Sequence, residues 1–354
     1  MDRSSYNPNY NIFIGNETGR SILRSAGKSN PITIDDYLNQ GGYQALKKAL
    51  WNTSPGDVIN EVIQSGLRGR GGAGFPTGLK WRTCAGVDNP PRYIICNGNE
   101  GDPQAFADKY IMESDPHSVL EGMIIAAYAI GAVRGFIYVR DQYTRAAASL
   151  TRALDDARRQ GFLGSNILDS SLSFDIILIR GGNAFICGEE TALIAAIEGK
   201  ISEPGDKYIL PVEKGLWGQP TVVNNVETWA NIPIIIDYGS ESFALTGARG
   251  SPGTKVFSLT GNVVNPGLVE VPLSTSLHTI IFDIGGGIPG AKFKAVQVGG
   301  PVGGYIPGSM LNLKVDYDSL RGAGTIMGSG GIKVMDDHTC MVGSARYAMN
   351  FLAN

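Results

Sequence analysis

The sequence predicts an α/β protein with a parallel sheet, followed by a smaller α+β unit. Three short apolar runs have the composition of strands, and helical segments separate them, which is the alternation typical of a parallel sheet. Later in the chain two strands, a helix and a third strand follow one another, an order compatible with a β-grasp (ubiquitin-like) fold. The length of 354 residues agrees with about two domains.

Two helices are predicted before the first strand. The apolar spacing indicates helices over residues 34–50 and 55–64, and the second has Ser54 as its N-cap and Pro55 at its first position. We expect these helices to form an N-terminal helical lead-in over residues 1–65.

The first domain is predicted over residues 66–240. Its helices are apolar or amphipathic, and Gly199 marks the end of one of them. The predicted strands are 93–96, 136–139 and 174–179, and the predicted helices are 118–131, 143–160, 189–198 and 224–237.

A stretch rich in Gly, Ser and Pro over residues 239–253 indicates a linker to the second domain. The β-grasp domain is predicted over 250–325, and 326–354 is expected to be the start of a C-terminal helical region. The elements predicted in the β-grasp domain are strands 255–259, 268–271 and 295–298 and a helix over 277–283.

Composition excludes several classes of function. With 30 Lys and Arg against 33 Asp and Glu the net charge is −3, so there is no dense basic surface for nucleic acid. The four cysteines, at 84, 96, 187 and 340, form no C-x-x-C pair. We therefore expect no metal site made by this chain alone and, because cysteine is sparse, a reducing compartment.

No membrane insertion and no secretory signal are expected. The N-terminus lacks an apolar run after a charged start. The longest apolar stretch, residues 119–132, is interrupted by Glu121 and Gly122 and is shorter than the roughly 20 residues that cross a bilayer. The sequence therefore predicts a cytoplasmic protein.

Glycine is in excess, with 48 residues in 354. Six of them lie within residues 66–78, close to Arg68, Arg70 and Lys80. Such a loop lets a ligand approach bare backbone, although purely structural glycine loops are also common. It lacks the Gly-Lys-Ser/Thr of a Walker loop, and it follows a helix rather than the strand that precedes a Rossmann G-x-G-x-x-G.

Three further polar clusters follow predicted strands or open helices. Ligands of open α/β sheets bind at the carboxyl ends of strands, but each cluster also has a structural interpretation: turn formation, helix-dipole stabilisation and N-capping, respectively. No Ser-His-Asp or Cys-His arrangement is apparent, and the histidines at 117, 278 and 338 are interpreted as structural. The clusters are Asn97–Pro103, Gly181–Thr191 and Thr221–Thr228.

Together the four segments resemble the NADH-binding flavin subunit of respiratory complex I and of NAD-linked multimeric hydrogenases and formate dehydrogenases. The resemblance covers roughly residues 20–350. It rests on GLRGRGGAGFPTGLKW, CNGNEGDP, ICGEETALIAAIEG and KGLWGQPTVVNNVETWANIP. NEGDPQAF and MESDPHSVLEGM are more similar to the hydrogenase and formate-dehydrogenase branch.

The resemblance implies a Rossmann-like flavin domain, a β-grasp domain of the SLBB type, and FMN as cofactor. NADH would pass hydride to FMN, and single electrons would leave for iron–sulfur clusters of partner subunits. These partners would be a small [2Fe-2S] subunit and a hydrogenase, formate dehydrogenase or similar catalytic subunit. No side chain is expected to be catalytic, because the flavin carries the chemistry.

The resemblance also assigns site residues by position. Phe75, Asp102, Glu190 and Lys207 would face the dinucleotide, with Glu190 near the nicotinamide, and the acid at 102 favours NAD over NADP because a carboxylate repels a 2′-phosphate. The residues expected to line FMN are Gly69, Arg70, Gly71, Gly72, Lys80, Asn97, Asn99, Glu100, Gly188, Glu189, Val223, Asn224 and Asn225.

Several positions depart from the family pattern. Asn99 stands where the family has Asp, and Thr83 and Leu210 stand where it has aromatic residues that sandwich the adenine. The stretch 203–207 replaces an Arg-rich proline segment, and the cysteines of the family's C-terminal [4Fe-4S] cluster are absent. Two other functions therefore stay open: an FMN electron-transfer module that no longer uses NAD(H), and a structural subunit with a degenerate site.

Overall fold

Two main sheets organise the chain, and each belongs to a different unit. The computed structural model describes residues 11–15, 22–24, 33–182, 184–205 and 208–353. A parallel-sheet unit comprises 25–101 and 108–246, and a mixed-sheet unit comprises 1–24, 102–107 and 247–354, within those described residues. The predicted α/β class with a smaller α+β unit is confirmed.

The elements of the parallel-sheet unit, with the first strand of the mixed-sheet unit before them, are β1 (Asn11–Ile14), α1 (Ile34–Asn39), α2 (Gln44–Asn52), α3 (Pro55–Gln64), α4 (Thr77–Gly86), β2 (Arg92–Gly98), α5 (Ala107–Ser114), α6 (Pro116–Ile130), β3 (Ala132–Arg140), α7 (Thr144–Arg159), β4 (Asp175–Gly181), α8 (Glu190–Ile197), α9 (Pro211–Lys214), β5 (Thr221–Asn225), α10 (Val226–Tyr238) and α11 (Ser240–Ala244). The remaining elements are β6 (Gly247–Ala248), β7 (Ser251–Pro252), β8 (Thr254–Gly261), β9 (Gly267–Pro272), β10 (Phe293–Val298), β11 (Gly304–Pro307), α12 (Tyr317–Gly322), β12 (Gly331–Asp336) and α13 (Met341–Ala353).

The parallel-sheet unit contains four strands in the order β4-β3-β2-β5, and all neighbours are parallel. The three predicted strands are confirmed as β2, β3 and β4. The fourth was missed: residues 224 and 225 were predicted to open a helix, but Tyr93 pairs with Thr221 and Asn97 with Asn225 along β5. The two adjacent asparagines disguise this strand, because asparagine is depleted in strands and favoured at N-caps.

The predicted N-terminal lead-in is not a separate segment, since α1 to α3 belong to the parallel-sheet unit. Glu121 on the buried helix α6 ties them down. Its carboxylate accepts hydrogen bonds from Tyr37 Oη at 2.6 Å, Tyr43 N at 2.9 Å and Leu46 N at 2.9 Å. A buried carboxylate needs such donors, so the N-terminal helices complete the core around α6.

The histidine of the same core behaves as a structural residue. His117 is buried on α6, its Nδ1 lies 3.1 Å from Tyr43 Oη, and its ring stacks with Tyr37. Burial lowers the pKa of His117 to about 4. The imidazole is therefore neutral at pH 7, as the structural interpretation requires.

The mixed-sheet unit has a six-stranded sheet in the order β1-β9-β8-β12-β10-β11. β8 and β9 form an antiparallel hairpin, and β12 lies between β8 and β10, parallel to the first and antiparallel to the second. Because β12 spans Gly331–Asp336, the predicted boundary at 326 was wrong: the sheet is incomplete without this strand. The C-terminal helix begins only at Met341.

The predicted linker at 239–253 contains structure. It holds the short helix α11 and the two-residue ribbon β6-β7. Gly247 has φ +94°, and a Cβ atom there would come within 2.6 Å of Ser251 O. The glycine that suggested a flexible linker is therefore required by a tight turn.

No helix within the described ranges is long and apolar enough to cross a membrane. The same residues contain no group of three His, Cys, Asp or Glu side chains arranged to hold a metal ion.

Candidate functional site

The four sequence motifs meet at one edge of the parallel sheet. β2 ends at Gly98, β4 at Gly181 and β5 at Asn225, and the polar clusters begin at these carboxyl ends. The glycine loop precedes α4 in the same unit. The edge is the position where open α/β sheets bind ligands.

The glycine loop is a closed hairpin with its own hydrogen bonds. Gly69 N donates to Phe75 O at 2.9 Å, and Arg68 Nε donates to Gly74 O at 2.7 Å. Gly72 has φ +138° and Gly74 has φ +64°, conformations that L side chains rarely adopt. The loop therefore holds a defined shape while it exposes bare backbone.

Arg70 is an internal fastener of this loop. Its side chain is buried, its backbone N donates to Thr228 Oγ1 at 2.9 Å, and its Nη1 donates to Arg68 O at 3.1 Å. Thr228 lies on α10, so Arg70 fixes the loop to the helix that follows β5.

Gly71 faces the end of β5 with no room for a side chain. A Cβ atom on Gly71 would come within 2.9 Å of Asn225 Cβ. Asn225 is itself held, because its Oδ1 accepts from Glu227 N at 2.9 Å and its Nδ2 donates to Asp108 Oδ2. The loop and β5 thus form a narrow cradle that a Cβ atom would fill.

Lys80 joins three of the motifs through one nitrogen. It lies in the first turn of α4, directly after the glycine loop. Its Nζ donates to Val223 O of β5 at 2.8 Å and to Glu190 Oε1 of α8 at 2.5 Å. The Lys80 side chain is 14% exposed and that of Glu190 is 40% exposed, so this ion pair lies partly buried at the sheet edge.

Two asparagines connect the β2 loop to the α8 loop. Asn97 Nδ2 donates to Gly188 O at 2.8 Å, and Asn97 Oδ1 accepts from Asn99 N at 3.1 Å. In the amide orientation that satisfies both of its side-chain atoms, Asn99 Oδ1 accepts from Gly188 N at 2.8 Å. The absence of a Cβ at Gly188 permits this approach, because such an atom would lie 3.1 Å from Asn99 O.

The predicted acids of the FMN set are committed to helix caps. Glu100 accepts from Asp108 N at 3.1 Å and Lys109 N at 3.2 Å on α5. Glu189 accepts from Thr191 N at 2.9 Å and caps α8. These bonds stabilise the helices that frame the edge, and the structural interpretation of Glu189 is supported.

Residues with no motif signal also support the site. Asp108 holds Asn225, Thr228 holds Arg70, and in the satisfied amide orientation Trp81 Nε1 donates to buried Asn224 at 3.2 Å. Asp108 and Thr228 act on residues distant in sequence, so spacing alone could not find them. Proximity to the motifs was the one available signal for Trp81.

The residues predicted to face the dinucleotide are divided. Phe75 is half exposed beside the glycine loop, and Glu190 pairs with Lys80. Thr83 and Leu210, the two non-aromatic departures, are both exposed. Lys207 lies outside the described residues.

Asp102 lies apart from these residues, in the mixed-sheet unit. It is buried, Oδ1 accepts from Gln104 N at 2.9 Å, and Oδ2 has no hydrogen-bond partner in the described part of the chain. A Cβ atom on Gly300 would reach 2.3 Å from Oδ2, and one on Gly331 would reach 2.7 Å. Burial raises the pKa of Asp102 to about 6, against a smaller lowering by the Gln104 amide.

We predict that Asp102→Asn changes stability in a pH-dependent way. Because the folded pKa is raised from 3.8 to about 6, the wild-type protein loses stability as pH rises from about 4 through 6. The isosteric amide carries no charge, so the variant should be more stable than wild type by on the order of 2 kcal/mol at pH 8 and show no such advantage at pH 4.

Urea denaturation of both proteins at several pH values measures this difference. Asp88→Asn, at an exposed carboxylate, is the control and should show no comparable pH-dependent gain. A gain for Asp102→Asn that is the same at pH 4 and pH 8 would contradict the titration of Asp102.

The edge has the chemistry that a flavin phosphate and ring require. Lys80 offers a cation, the asparagines offer amides, and Gly71 and Gly188 provide positions without Cβ atoms. The buried hydroxyl of Thr77, at the start of α4, has no hydrogen-bond partner among the described residues. The residues present therefore fit FMN.

Comparison with known proteins agrees with this chemistry. The sequence profile of the Nuo51 FMN-binding domain matches residues 62–234. The NADP-reducing hydrogenase subunit HndC of Solidesulfovibrio fructosivorans is 51% identical over 94% of this chain and 68% of its own. The corresponding subunit of the NADH-quinone oxidoreductase of Escherichia coli K12 is 39% identical over 97% of this chain and 78% of its own.

A solved structure shares the fold. A chain of the H2-reduced NAD+-reducing [NiFe]-hydrogenase matches with a TM-score of 0.77 and 31% identity. The match covers 93% of the present chain and 52% of the hydrogenase chain, so the present chain spans about half the length of that relative.

Proposed function

This chain belongs to the family of Nuo51 FMN-binding domains, and from that premise we propose that it is an FMN-containing oxidoreductase subunit. It would transfer hydride between NAD(H) and FMN and pass single electrons to iron–sulfur clusters of partner subunits. The observation that carries the proposal is the meeting of three motifs at Lys80 Nζ, beside the closed glycine loop.

The protein would act by binding and orientation. FMN supplies the chemistry, because it accepts two electrons with a hydride and releases electrons singly. Lys80 and the amides of Asn97 and Asn225 would hold the cofactor at the strand ends, and the bare backbone of the loop would leave one ring face open. Hydride transfer requires ring contact, which an open face permits.

The two carboxylate caps would act indirectly. Glu100 and Glu189 keep the first turns of α5 and α8 in place. These helices carry Asp108, which holds Asn225, and Glu190, which holds Lys80. The caps would therefore set the position of groups that contact the cofactor.

The partners are proposed from the same relationship. Relatives are subunits of a hydrogenase and of NADH-quinone oxidoreductases. We propose that the present chain works in a comparable cytoplasmic complex with iron–sulfur subunits, including a small [2Fe-2S] subunit and a hydrogenase or formate dehydrogenase type of catalytic subunit.

One observation favours a second function, an FMN electron-transfer module that does not use NAD(H). Thr83 and Leu210 are exposed and offer no ring to an adenine. Two lost stacking contacts of about 0.5–1.5 kcal/mol each would weaken dinucleotide binding about tenfold to a hundredfold.

Anaerobic titration tests the proposal. The protein reconstituted with FMN is titrated with NADH, and in parallel with NADPH, while the visible flavin absorbance is followed. We expect bleaching at micromolar NADH. A bound flavin that dithionite reduces but neither nucleotide does would favour the second function, and failure to bind FMN at all would overturn both.

A further inference from the structure

The ion pair between Lys80 and Glu190 connects the residues expected at FMN with those expected at the dinucleotide. We propose that Glu190 is a positioning residue for Lys80 and that the pair sets the reduction potential of the flavin. This inference rests on the proposed function, because it assumes FMN at the strand ends. It gives Glu190 a role toward the flavin rather than toward the nicotinamide.

The hydrogen bonds of Lys80 define its orientation. A lysine ammonium has three N–H groups. Within the described ranges, two of them are occupied by Val223 O at 2.8 Å and Glu190 Oε1 at 2.5 Å. Two acceptors from different elements fix the direction of the third N–H group, which stays available for a ligand.

The location makes the charge of the pair important. Lys80 follows the glycine loop directly, Val223 precedes Asn224 and Asn225, and Glu190 follows Gly188 and Glu189. The Lys80 side chain is only 14% exposed, so its charge is screened less by water than that of a surface lysine. The carboxylate of Glu190 balances this charge at the place where the motifs converge.

Reduction changes the charge that this pair faces. NADH delivers a hydride, which is two electrons and one proton, and leaves as NAD+, so the flavin gains one negative charge. A nearby cation without its counter-ion favours the more negative form. Neutralising Glu190 should therefore raise the reduction potential, and neutralising Lys80 should lower it.

The test is a redox titration of the FMN-loaded protein with dithionite and mediators, followed by flavin absorbance. Glu190→Gln keeps an oxygen that can accept from Lys80 but removes the charge. We expect the ratio of reduced to oxidised flavin at fixed potential to rise about threefold to tenfold, which is an upward shift of about 15–30 mV for a two-electron couple. Lys80→Met should shift the potential downward wherever it retains FMN.

Glu198→Gln is the matched control. Glu198 caps the other end of α8 and pairs with Lys200 at 2.6 Å, so the same charge is removed from the same helix. The eight residues of α8 place it about 12 Å away along the axis, beyond one Debye length at physiological salt. Its reduction potential should match that of wild type.

The outcomes separate this inference from the proposed function. Opposite shifts for the Glu190 and Lys80 variants, with none for the Glu198 variant, support the pair as the determinant of potential. Wild-type potentials in an FMN-loaded Glu190→Gln protein would overturn the inference and leave the proposed function intact. A wild-type protein that binds no FMN would overturn the proposed function first.

Discussion

Replacing Glu121 by alanine is expected to lower the free energy of unfolding by about 3–5 kcal/mol. The carboxylate accepts from Tyr43 N and Leu46 N and from the hydroxyl of Tyr37, all inside the core. Alanine removes every acceptor at once, and each buried N–H group left without a partner costs about 1–3 kcal/mol. Because α1 and α2 attach to α6 through these bonds, the N-terminal helices should loosen first.

Urea denaturation followed by circular dichroism measures the loss. Tyr37→Phe is the graded comparison, because it removes one hydrogen bond, leaves both N–H groups satisfied and should cost only about 1 kcal/mol. If Glu121→Ala is no less stable than Tyr37→Phe, Glu121 does not anchor the N-terminal helices.

Replacing Gly71 by valine is expected to abolish FMN binding, with a loss of affinity of at least a hundredfold. The new Cβ atom would lie 2.9 Å from Asn225 Cβ, closer than real Cβ atoms come. Asn225 cannot yield freely, because it caps α10 and bonds Asp108. The glycine loop must therefore move away from β5, and the cradle opens.

Flavin fluorescence during titration of the apoprotein with FMN gives the affinity. Gly86→Ala is the matched control, since a Cβ atom at Gly86 meets nothing within 4 Å, and it should bind FMN like wild type. Tight FMN binding by a folded Gly71→Val protein would remove the glycine loop from the proposed site.

Sequence reasoning succeeded for the fold where apolar pattern and burial agree. The strands β2, β3 and β4 and the helix α6 are long enough for periodicity to identify them. It failed for β5, whose final asparagines resemble an N-cap, and for β12, which pairs with strands distant in sequence. Pairing between distant segments leaves no local signal, so the domain boundary at 326 could not be corrected from sequence alone.

The candidate site divides in the same way. The motifs identified the segments that meet at the strand ends, because glycine and asparagine at those positions have few other uses. They did not distinguish residues that face the site from residues that support it, and Glu100 and Glu189 proved to be helix caps. Asp102 belongs to the other unit, which no spacing within the motif could reveal.

The passage of the chain between its two units has a consequence for biosynthesis. Residues 25–101 and 108–246 are complete before the last strands leave the ribosome, so the parallel sheet can form while synthesis continues. The strand β1 and the segment 102–107 emerge early but must wait for β8, β9 and β12. The earliest part of the chain is thus among the last to find its partners, and it depends on protection from premature association until then.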